Sequence, residues 1–149
     1  MRFLYLALFS LGIAAADQLT KYLVVANIPL YAEVPFLPGF LQFTYVQNTG
    51  AAFSFLQGQM WLFALIFIIF TVLVLWEYFK KPLPFTTFER VMIAAVYGGG
   101  LGNMIDRVRL GYVVDMIETQ FIRFPVFNVA DCFITCGGIA LAVSMIFFN

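Results

Sequence analysis

The stretch "MWLFALIFIIFTVLVLW", residues 60–76, contains no charged side chain, no glycine and no proline. A helix needs about 20 mainly apolar residues, within a range of about 17–25, to cross the roughly 30 Å hydrocarbon core of a bilayer. This stretch is long enough and apolar enough to do so. It therefore predicts a helix that spans a membrane.

Three other runs are nearly as apolar, and they cover residues 3–25, 88–105 and 132–148. The chain is 63% hydrophobic and 11% charged, whereas ordinary soluble domains are about 45–50% apolar and about 25% charged. A water-soluble fold of 149 residues cannot hide so much apolar surface. No internal repeat or linker divides the chain. We therefore expect a single integral-membrane domain over residues 1–149, an all-α membrane protein with four transmembrane helices.

The first run has a second interpretation. "MRFLYLALFSLGIAAAD", residues 1–17, resembles a secretory signal, because a basic residue precedes an apolar core and three alanines form a cleavage-like tripeptide. However, apolar character resumes after Lys21, and removing the run would leave three spans with a misplaced charge pattern. A retained first span is the preferred interpretation.

Basic residues in the connections predict the orientation of the spans. Arg2 precedes the first span and the connection 80–90 carries three basic residues, whereas residues 26–57 carry none. Connections rich in Lys and Arg remain in the cytoplasm. Both termini and the 80–90 connection are therefore expected inside, and residues 26–57 and 106–127 outside.

The third run ends in "YGGGLGNMIDRVRL", residues 97–110. Its glycines permit close approach of a neighbouring helix, and they are expected to loosen the helix near its outer end. Arg107, Arg109 and Arg123 all follow on the outer side, against the charge rule. Arg109, Arg123 and Glu118 are interpreted as solvated interface residues with no chemistry. Arg107 needs an explanation other than topology.

The residue types present exclude several kinds of chemistry. The chain has no histidine, which excludes Ser-His and Cys-His nucleophiles and His-ligated zinc. Cys132 and Cys136 lie four apart, a spacing that rarely has disulfide geometry, and two thiols alone make a poor metal site. The net charge is zero, so no attraction to nucleic acid is implied. We expect neither a metal nor another cofactor.

The two outward segments are expected to contain short strands. "GFLQFTYVQ" alternates well enough for a strand over about residues 40–46, and "GYVVDMIE", residues 111–118, is extended. The segments 40–57 and 112–124 are expected to form a small extracytoplasmic β-sheet over the outer end of the bundle. Asn48 and Gly50 predict a turn, and the two phenylalanines of the following "AAFSF" are expected to face lipid.

Asp115 and Asp131 lie in apolar surroundings. Asn128 is a good N-cap and Asp131, three residues later, completes a capping box, so helix capping alone is one interpretation of this acid. Asp115 lies in "VVDMI", where ionisation is costly and its pKa should rise. Consecutive antiparallel helices pack side by side, so the two carboxyls can meet, one protonated and the other anionic. Such a pair can activate water against an amide.

Asp17 and Lys21 form an i,i+4 pair in the first run. Charges near a helix end can pair, and their long side chains can reach the interface at modest cost. The pair is interpreted as structural support rather than as chemistry.

Four motifs, in order along the chain, resemble those of the lipoprotein signal peptidases (signal peptidase II). They are "DQLTKYLV" at 17–24, "NTGAAFSF" at 48–55, "GGGLGNMIDRVRLGYVVDMIE" at 98–118 and "FPVFNVADCFITCGG" at 124–138. The resemblance implies an aspartic protease in the cytoplasmic membrane of bacteria, with its active site at the extracytoplasmic face. It implies removal of the signal peptide from prolipoproteins, immediately before a cysteine that bears a diacylglyceryl group.

The resemblance also implies roles for individual residues. The catalytic aspartate pair falls on Asp115 and Asp131. The substrate-contacting polar positions, with two small residues beside them, fall on Asn48, Gly50, Asn103, Arg107, Asn128 and Ala130. Asp17 and Lys21 match a first-helix motif read as structural support, and Asp106 matches a motif acid interpreted as the partner of the arginine that follows it. Prolipoprotein substrates, membrane lipid and the cyclic peptide antibiotic globomycin, as an inhibitor, are the implied partners.

Two other classes of protein remain open from the residues alone. Intramembrane acids often mark ion paths, as in a proton-coupled transporter or channel component. Transporters usually place such acids near the midplane on broken or repeated helices, whereas here they lie at one face and no repeat is present. A purely structural membrane subunit would leave the outer cluster of asparagines and arginine without a purpose. The peptidase is the preferred interpretation.

Overall fold

The computed structural model of the protein describes residues 2–50, 58–80 and 83–148. Phe53 and Phe55, which are expected to face lipid, lie outside these ranges. The helices are α1 (Arg2–Asn27), α2 (Met60–Phe79), α3 (Thr87–Leu110) and α4 (Val129–Phe147), and the strands are β1 (Glu33–Leu37), β2 (Leu41–Asn48) and β3 (Val113–Thr119). Each predicted span therefore coincides with one helix to within a few residues.

Three of the described helices, α1, α2 and α4, are long and apolar enough to cross a membrane. Their outward side chains are largely apolar. Trp61 and Leu73 of α2, for example, are 64% and 61% exposed. α3 is 24 residues long, about 36 Å at about 1.5 Å per residue, but its sequence includes charged residues near both ends. The chain is thus a membrane protein, and its fourth transmembrane helix remains a prediction.

The glycine run of α3 packs directly against two neighbouring helices. A Cβ added at Gly98 would lie 2.6 Å from Ser10 O of α1. One added at Gly99 would lie 2.5 Å from Ala130 O of α4. The glycines therefore allow backbone to pack against backbone. The expectation that they loosen the helix is wrong, because α3 continues to its C-cap at Gly111, where a φ of 81° ends it.

Gly99→Ala is expected to destabilise the protein by about 1–3 kcal/mol, the usual cost of overpacking. The added methyl group would meet the Ala130 carbonyl, which belongs to backbone and cannot rotate away. Gly138→Ala is the matched control, since a Cβ there meets no heavy atom of the described residues within 4 Å. Thermal unfolding in detergent micelles measures the difference. Equal midpoints for the two variants would contradict the close packing of α3 against α4.

The strands form an antiparallel sheet in the order β1-β2-β3. β2 and β3 match the predicted strands, whereas β1 contains Pro35, which suits only an edge strand and obscures the pattern. Val114 and Met116 of β3 pack with Tyr45 of β2 and with Val24 near the end of α1. The sheet therefore covers the end of the bundle where α1 and α3 terminate.

A polar cluster joins α2, α3 and α4 at the end away from the sheet. Thr86 and Glu89 form a capping box at the start of α3. Glu89 Oε1 also accepts a hydrogen bond from Ser144 Oγ of α4 at 3.0 Å. Arg90 Nη1 lies 2.6 Å from Glu77 Oε1 of α2. These contacts hold three helices together at one end and leave the opposite end for the candidate site.

Candidate active site

Asp131 is held in the first turn of α4 by the cap that the sequence predicts. Asn128 Oδ1 accepts from Asp131 N at 2.9 Å, and Asp131 Oδ2 accepts from Asn128 N at 3.2 Å. The predicted capping box is therefore confirmed. The second carboxylate oxygen, Oδ1, accepts from Asn103 Nδ2 of α3 at 2.8 Å. Capping accordingly uses only part of this carboxylate's hydrogen-bonding capacity.

Asp115 lies on β3 and is only 2% exposed. Val46 of β2 pairs with Asp115, which brings Asn48 alongside the carboxyl group. Asn48 Nδ2 donates to Asp115 Oδ2 at 2.8 Å, and Asn128 Nδ2 donates to Oδ1 at 2.6 Å. Burial raises the pKa of Asp115 to about 7 against the lowering effect of the Asn48 hydrogen bond, and the nearby Asp131 charge adds to the rise. The apolar surroundings of Asp115 in the sequence also predicted a raised pKa for this group.

Asparagine side chains connect the two carboxyl groups. Asn128 binds Asp115 through its amide and Asp131 through its own backbone N–H. Its Nδ2 also donates to Oδ1 of Asn103 at 3.1 Å. Nδ2 of Asn103 in turn donates to Oδ1 of Asp131. Within the described residues, neither carboxyl group forms a salt bridge. The pair is thus held by neutral amides, which fix its geometry without neutralising its charge.

A buried lysine of α1 is hydrogen-bonded to this amide network. Lys21 is 3% exposed. Its Nζ lies 2.8 Å from Asp17 Oδ2, 3.0 Å from Asp106 Oδ2 and 2.9 Å from Asn103 Oδ1. The ammonium group therefore forms ion pairs with two buried carboxylates and a hydrogen bond with the Asn103 amide. The predicted pairing of Asp17 with Lys21 is confirmed.

The interpretation of Asp106 as the partner of Arg107 is wrong. Neighbouring residues of a helix do not face each other, and Asp106 points instead toward Lys21 and the start of β3. Its Oδ2 accepts from Val114 N at 3.0 Å, and its Oδ1 accepts from Gln18 Nε2 at 2.7 Å. Asp106 therefore joins α1, α3 and β3, beneath the strand that carries the first carboxyl group.

Asp17 extends the same support to α4. Its Oδ1 accepts a hydrogen bond from Ala130 N at 2.9 Å, next to Asp131 in the chain. Asp17 and Ala130 are each 0% exposed. Gln18, which binds Asp106 and the carbonyl of Gly102, is a supporting residue that the sequence analysis did not single out. Its position within the first motif was the only signal for it.

Arg107 fastens the turn after β2 to α3. Its Nη2 donates to Gly50 O at 3.0 Å and its Nη1 to Asn103 O at 3.3 Å. The guanidinium carbon lies 4.1 Å from the ring centroid of Phe63 on α2, a cation–π contact. Gly50 N donates to Asn48 Oδ1 at 2.9 Å, which confirms the predicted turn. Phe63 carried no sequence signal, since it is one of many aromatic residues in its run.

Both carboxyl groups line an apolar groove of about 670 Å³ between α2, α3 and α4. Its apolar walls include Phe63, Ile66, Phe67, Phe70, Val96, Met104, Phe127 and Ile134. Asn48, Gly50, Asn103 and Arg107 line the groove beside the carboxyl groups, whereas Asn128 and Ala130 do not. In the described part of the chain, no group of three or more His, Cys, Asp or Glu residues is placed to hold a metal ion.

A bundle of membrane-length helices with two amide-bound carboxyl groups at the end of an apolar groove defines a membrane protein with a paired-acid site. A family model described as signal peptidase (SPase) II matches residues 9–147. The chain belongs to this family and is therefore a protease of the membrane.

Relatives of known name agree with this assignment. The lipoprotein signal peptidase of Streptococcus agalactiae (serotype Ia) is 43% identical over 145 residues, which cover 97% of this chain and 94% of the relative. That of Enterococcus faecalis is 43% identical over 142 residues, covering 93% and 86%.

Two solved structures share the fold. Both are described as bacterial membrane enzyme structures obtained by the in meso method, one at 2.3 Å and the other at 1.9 Å resolution. The first has a TM-score of 0.87 at 34% identity and covers 95% of this chain and 87% of its own. The second has a TM-score of 0.85 at 33% identity, with coverage of 97% and 94%.

Proposed function

We propose that this chain is an intramembrane aspartic endopeptidase that removes the signal peptide from prolipoproteins. The cut falls immediately before a cysteine that bears a diacylglyceryl group, and Asp115 and Asp131 activate the water that makes it. The family assignment and the names of the relatives support the substrate class. The paired acids support the mechanism.

One observation carries the proposal: Asp115 and Asp131 line the same apolar groove and are connected through Asn128. A signal peptide is an apolar helix, and a diacylglyceryl group is apolar as well, so both favour a groove with aromatic and aliphatic walls. A substrate seated there places its scissile amide at the polar end of the groove. The two carboxyl groups are at that end.

The two acids have different environments and therefore different roles. Asp115 is buried and holds a proton up to about pH 7, so we assign it as the acid. Asp131, in the first turn of α4, is assigned as the base. The Asp131 carboxylate takes a proton from water while the water oxygen attacks the carbonyl carbon, and Asp115 gives its proton to the carbonyl oxygen. The C–N bond then breaks as the proton on Asp131 passes to the leaving nitrogen and one hydroxyl of the tetrahedral intermediate returns its proton to Asp115, which leaves a carboxylic acid, an amine and both aspartates in their starting states.

The residues around the carboxyl pair fall into two groups, those that line the apolar groove and those that are fully buried. Asn48, Asn103 and Arg107 line the groove, so we propose that they contact substrate carbonyl and amide groups; the guanidinium is well suited to carbonyl oxygens. This role explains an arginine on the outer side. Asn128 and Ala130 are 0% exposed, so we propose that they position the carboxyl groups rather than touch substrate.

We propose that the protein crosses the bacterial cytoplasmic membrane four times, with both termini inside. Lys80 and Arg90 lie at the end of the bundle away from the sheet, where the charge rule predicts the cytoplasm. The sheet, Asp115 and Asp131 then lie at the extracytoplasmic face. That is the side on which a lipid-modified prolipoprotein presents its cleavage site.

The deciding experiment is cleavage by the purified protein of a prolipoprotein with and without the diacylglyceryl group. Only the modified substrate is expected to release its signal peptide. A chelator is expected to leave the rate unchanged, since the paired acids need no metal. Absence of cleavage by correctly folded protein, or loss of cleavage with the chelator, would contradict the proposal.

Globomycin is expected to inhibit this cleavage completely at saturation, because the proposed family mechanism places the cyclic peptide at the carboxyl pair. Residual substrate turnover, measured as released signal peptide against globomycin concentration, tests this. Undiminished turnover at saturating globomycin would count against the assignment of the site.

The value of kcat/KM is expected to fall as pH rises above about 7. This parameter reports the ionisation of the free enzyme, and Asp115 loses its proton in that range. Asn48 stabilises the anion of Asp115 through its hydrogen bond, which lowers the pKa. Asn48→Ala is therefore expected to move the alkaline limb to higher pH, whatever its effect on the maximal rate. Movement to lower pH would contradict the role of Asp115 as the acid.

A further inference from the structure

A second groove, here called the polar groove, ends at the same carboxyl group as the apolar groove. It has a volume of about 910 Å³ and lies between β2, β3 and residues 118–126. Both grooves are lined by Asp115, Asn48 and residues 124–126. Asp131 lines the apolar groove but not the polar groove. The two grooves therefore meet at the proposed catalytic pair.

The polar groove combines amide and charged side chains, several of which are hydrogen-bonded to one another, with the apolar residues Val46, Phe121, Ile122, Phe124, Pro125 and Val126. Gln42 Nε2 donates to Glu118 Oε2 at 2.8 Å, and Gln120 Nε2 donates to Gln42 Oε1 at 2.5 Å. Gln47 Nε2 donates to the hydroxyl of Tyr45 at 3.0 Å. This groove therefore offers more polar groups than the apolar groove, and a polar chain can hydrogen-bond to them where an acyl chain cannot.

We propose that the polar groove binds the first residues of the substrate that follow the modified cysteine, as an extended polar peptide. This inference rests on the proposed function and deepens it. A prolipoprotein is apolar before the cut and, beyond its lipid-bearing cysteine, continues as a chain that enters water. The apolar groove suits the part before the cut and the polar groove suits the part after it. Because the two grooves meet at the carboxyl pair, both parts can bind at once.

The dimensions suit a short segment. β3 runs along the polar groove from Asp115 to Thr119, about 13 Å at about 3.3 Å per residue. An extended peptide beside it would place about four residues in the groove. Efficient cleavage would then depend on the presence of a substrate segment after the cysteine and not only on the signal peptide and lipid.

Gln47 and Arg123 are the side chains best placed to bind this segment. Gln47 directly precedes Asn48, which lines both grooves, and Arg123 directly precedes the shared residues 124–126. An amide and a guanidinium donate to backbone carbonyls of any sequence, so they would hold an extended peptide without selecting a side chain. This role accounts for Arg123 on the outer side, for which the sequence analysis assigned no chemistry.

The test compares two substrates with the same signal peptide and diacylglyceryl-cysteine. One ends at the cysteine as an amide, and the other continues with Ser-Gly-Asn-Ser. The unsubstituted enzyme is expected to show a kcat/KM about tenfold higher for the longer substrate, the effect of one or two ordinary hydrogen bonds. Equal values for the two substrates would overturn the inference while leaving the proposed function intact. Failure to cleave either one would contradict the proposed function itself.

The enzyme variant Gln47→Leu/Arg123→Leu locates the effect in the polar groove. It is expected to cleave the short substrate normally, which shows that it is folded, and to lose most of the preference for the longer one. Arg109→Leu is the matched control, since Arg109 is an exposed arginine at the end of α3 that lines neither groove. It should keep the full tenfold ratio. A ratio that persists in the double variant would overturn the inference.

Discussion

Asp115→Asn and Asp131→Asn are each expected to lower kcat/KM for diacylglyceryl prolipoprotein by about 10²–10⁴-fold, the usual contribution of a positioned acid or base. Asparagine has nearly the shape of aspartate but supplies neither an exchangeable carboxyl proton nor an anionic base. Each substitution therefore removes one half of the proposed reaction. Initial rates of signal-peptide release, at matched concentrations of folded enzyme, measure the loss.

The double variant distinguishes a pair from two independent acids. Residues that act as a unit lose most of their effect when either is removed. Asp115→Asn/Asp131→Asn is therefore expected to be about as slow as the slower single variant, rather than slower by the product of the two losses. A multiplicative loss would contradict the paired mechanism.

The control for these variants is Glu33→Gln, which neutralises an exposed carboxylate of β1 on the same sheet. Its rate is expected to equal that of the unsubstituted protein. Near-normal turnover in either aspartate variant would contradict the assignment of the site. Unfolding midpoints close to that of the control would show that the two asparagine variants remain folded.

Lys21→Met is expected to destabilise the protein by about 3–5 kcal/mol, the cost of breaking a buried ion pair by removing one partner. Methionine replaces most of the length of lysine but leaves Asp17 and Asp106 without their cation, and both are at most 3% exposed. It also removes the donor that holds Asn103 Oδ1. Denaturant or thermal unfolding in detergent micelles measures the loss.

Two further variants test the cause of this loss. Lys80→Met removes an exposed lysine after α2 and is expected to change stability little. Adding Asp17→Asn to Lys21→Met removes one of the two uncompensated charges and should recover part of the stability, since neighbouring charges are coupled. A Lys21→Met variant as stable as Lys80→Met would show that the buried lysine does not stabilise the contact between α1 and α3.

Patterns between near neighbours in the chain were sufficient for much of the fold. Apolar runs predicted all four helices, because a long uncharged segment has few alternatives in a bilayer. The Asn128–Asp131 cap and the Asp17–Lys21 pair were also predictable, since both depend on residues three or four apart on one helix. The apolar surroundings of Asp115 and Asp131 singled out the two aspartates, and the resemblance of motifs added the asparagines around them.

Other features depend on distant residues and were not predictable. The ion pair of Asp106 was expected with its neighbour in the chain but is made with Lys21, because the rotation of α3 against α1 decides which side chains face each other. The glycines of α3 were expected to loosen that helix, yet they are where its neighbours pack. No local pattern contains either piece of information.

The sequence by itself determined that this chain lies in a membrane and where its helices begin and end to within a few residues, and it predicted which acids carry the proposed chemistry. Only the tertiary structure decided how those acids are held. The pairing of Val46 with Asp115, the bonds from Asn128 to both carboxyl groups and the meeting of two grooves there all join separate elements. Such contacts depend on strand register and helix rotation, which are set by packing of the whole chain and not by any one segment.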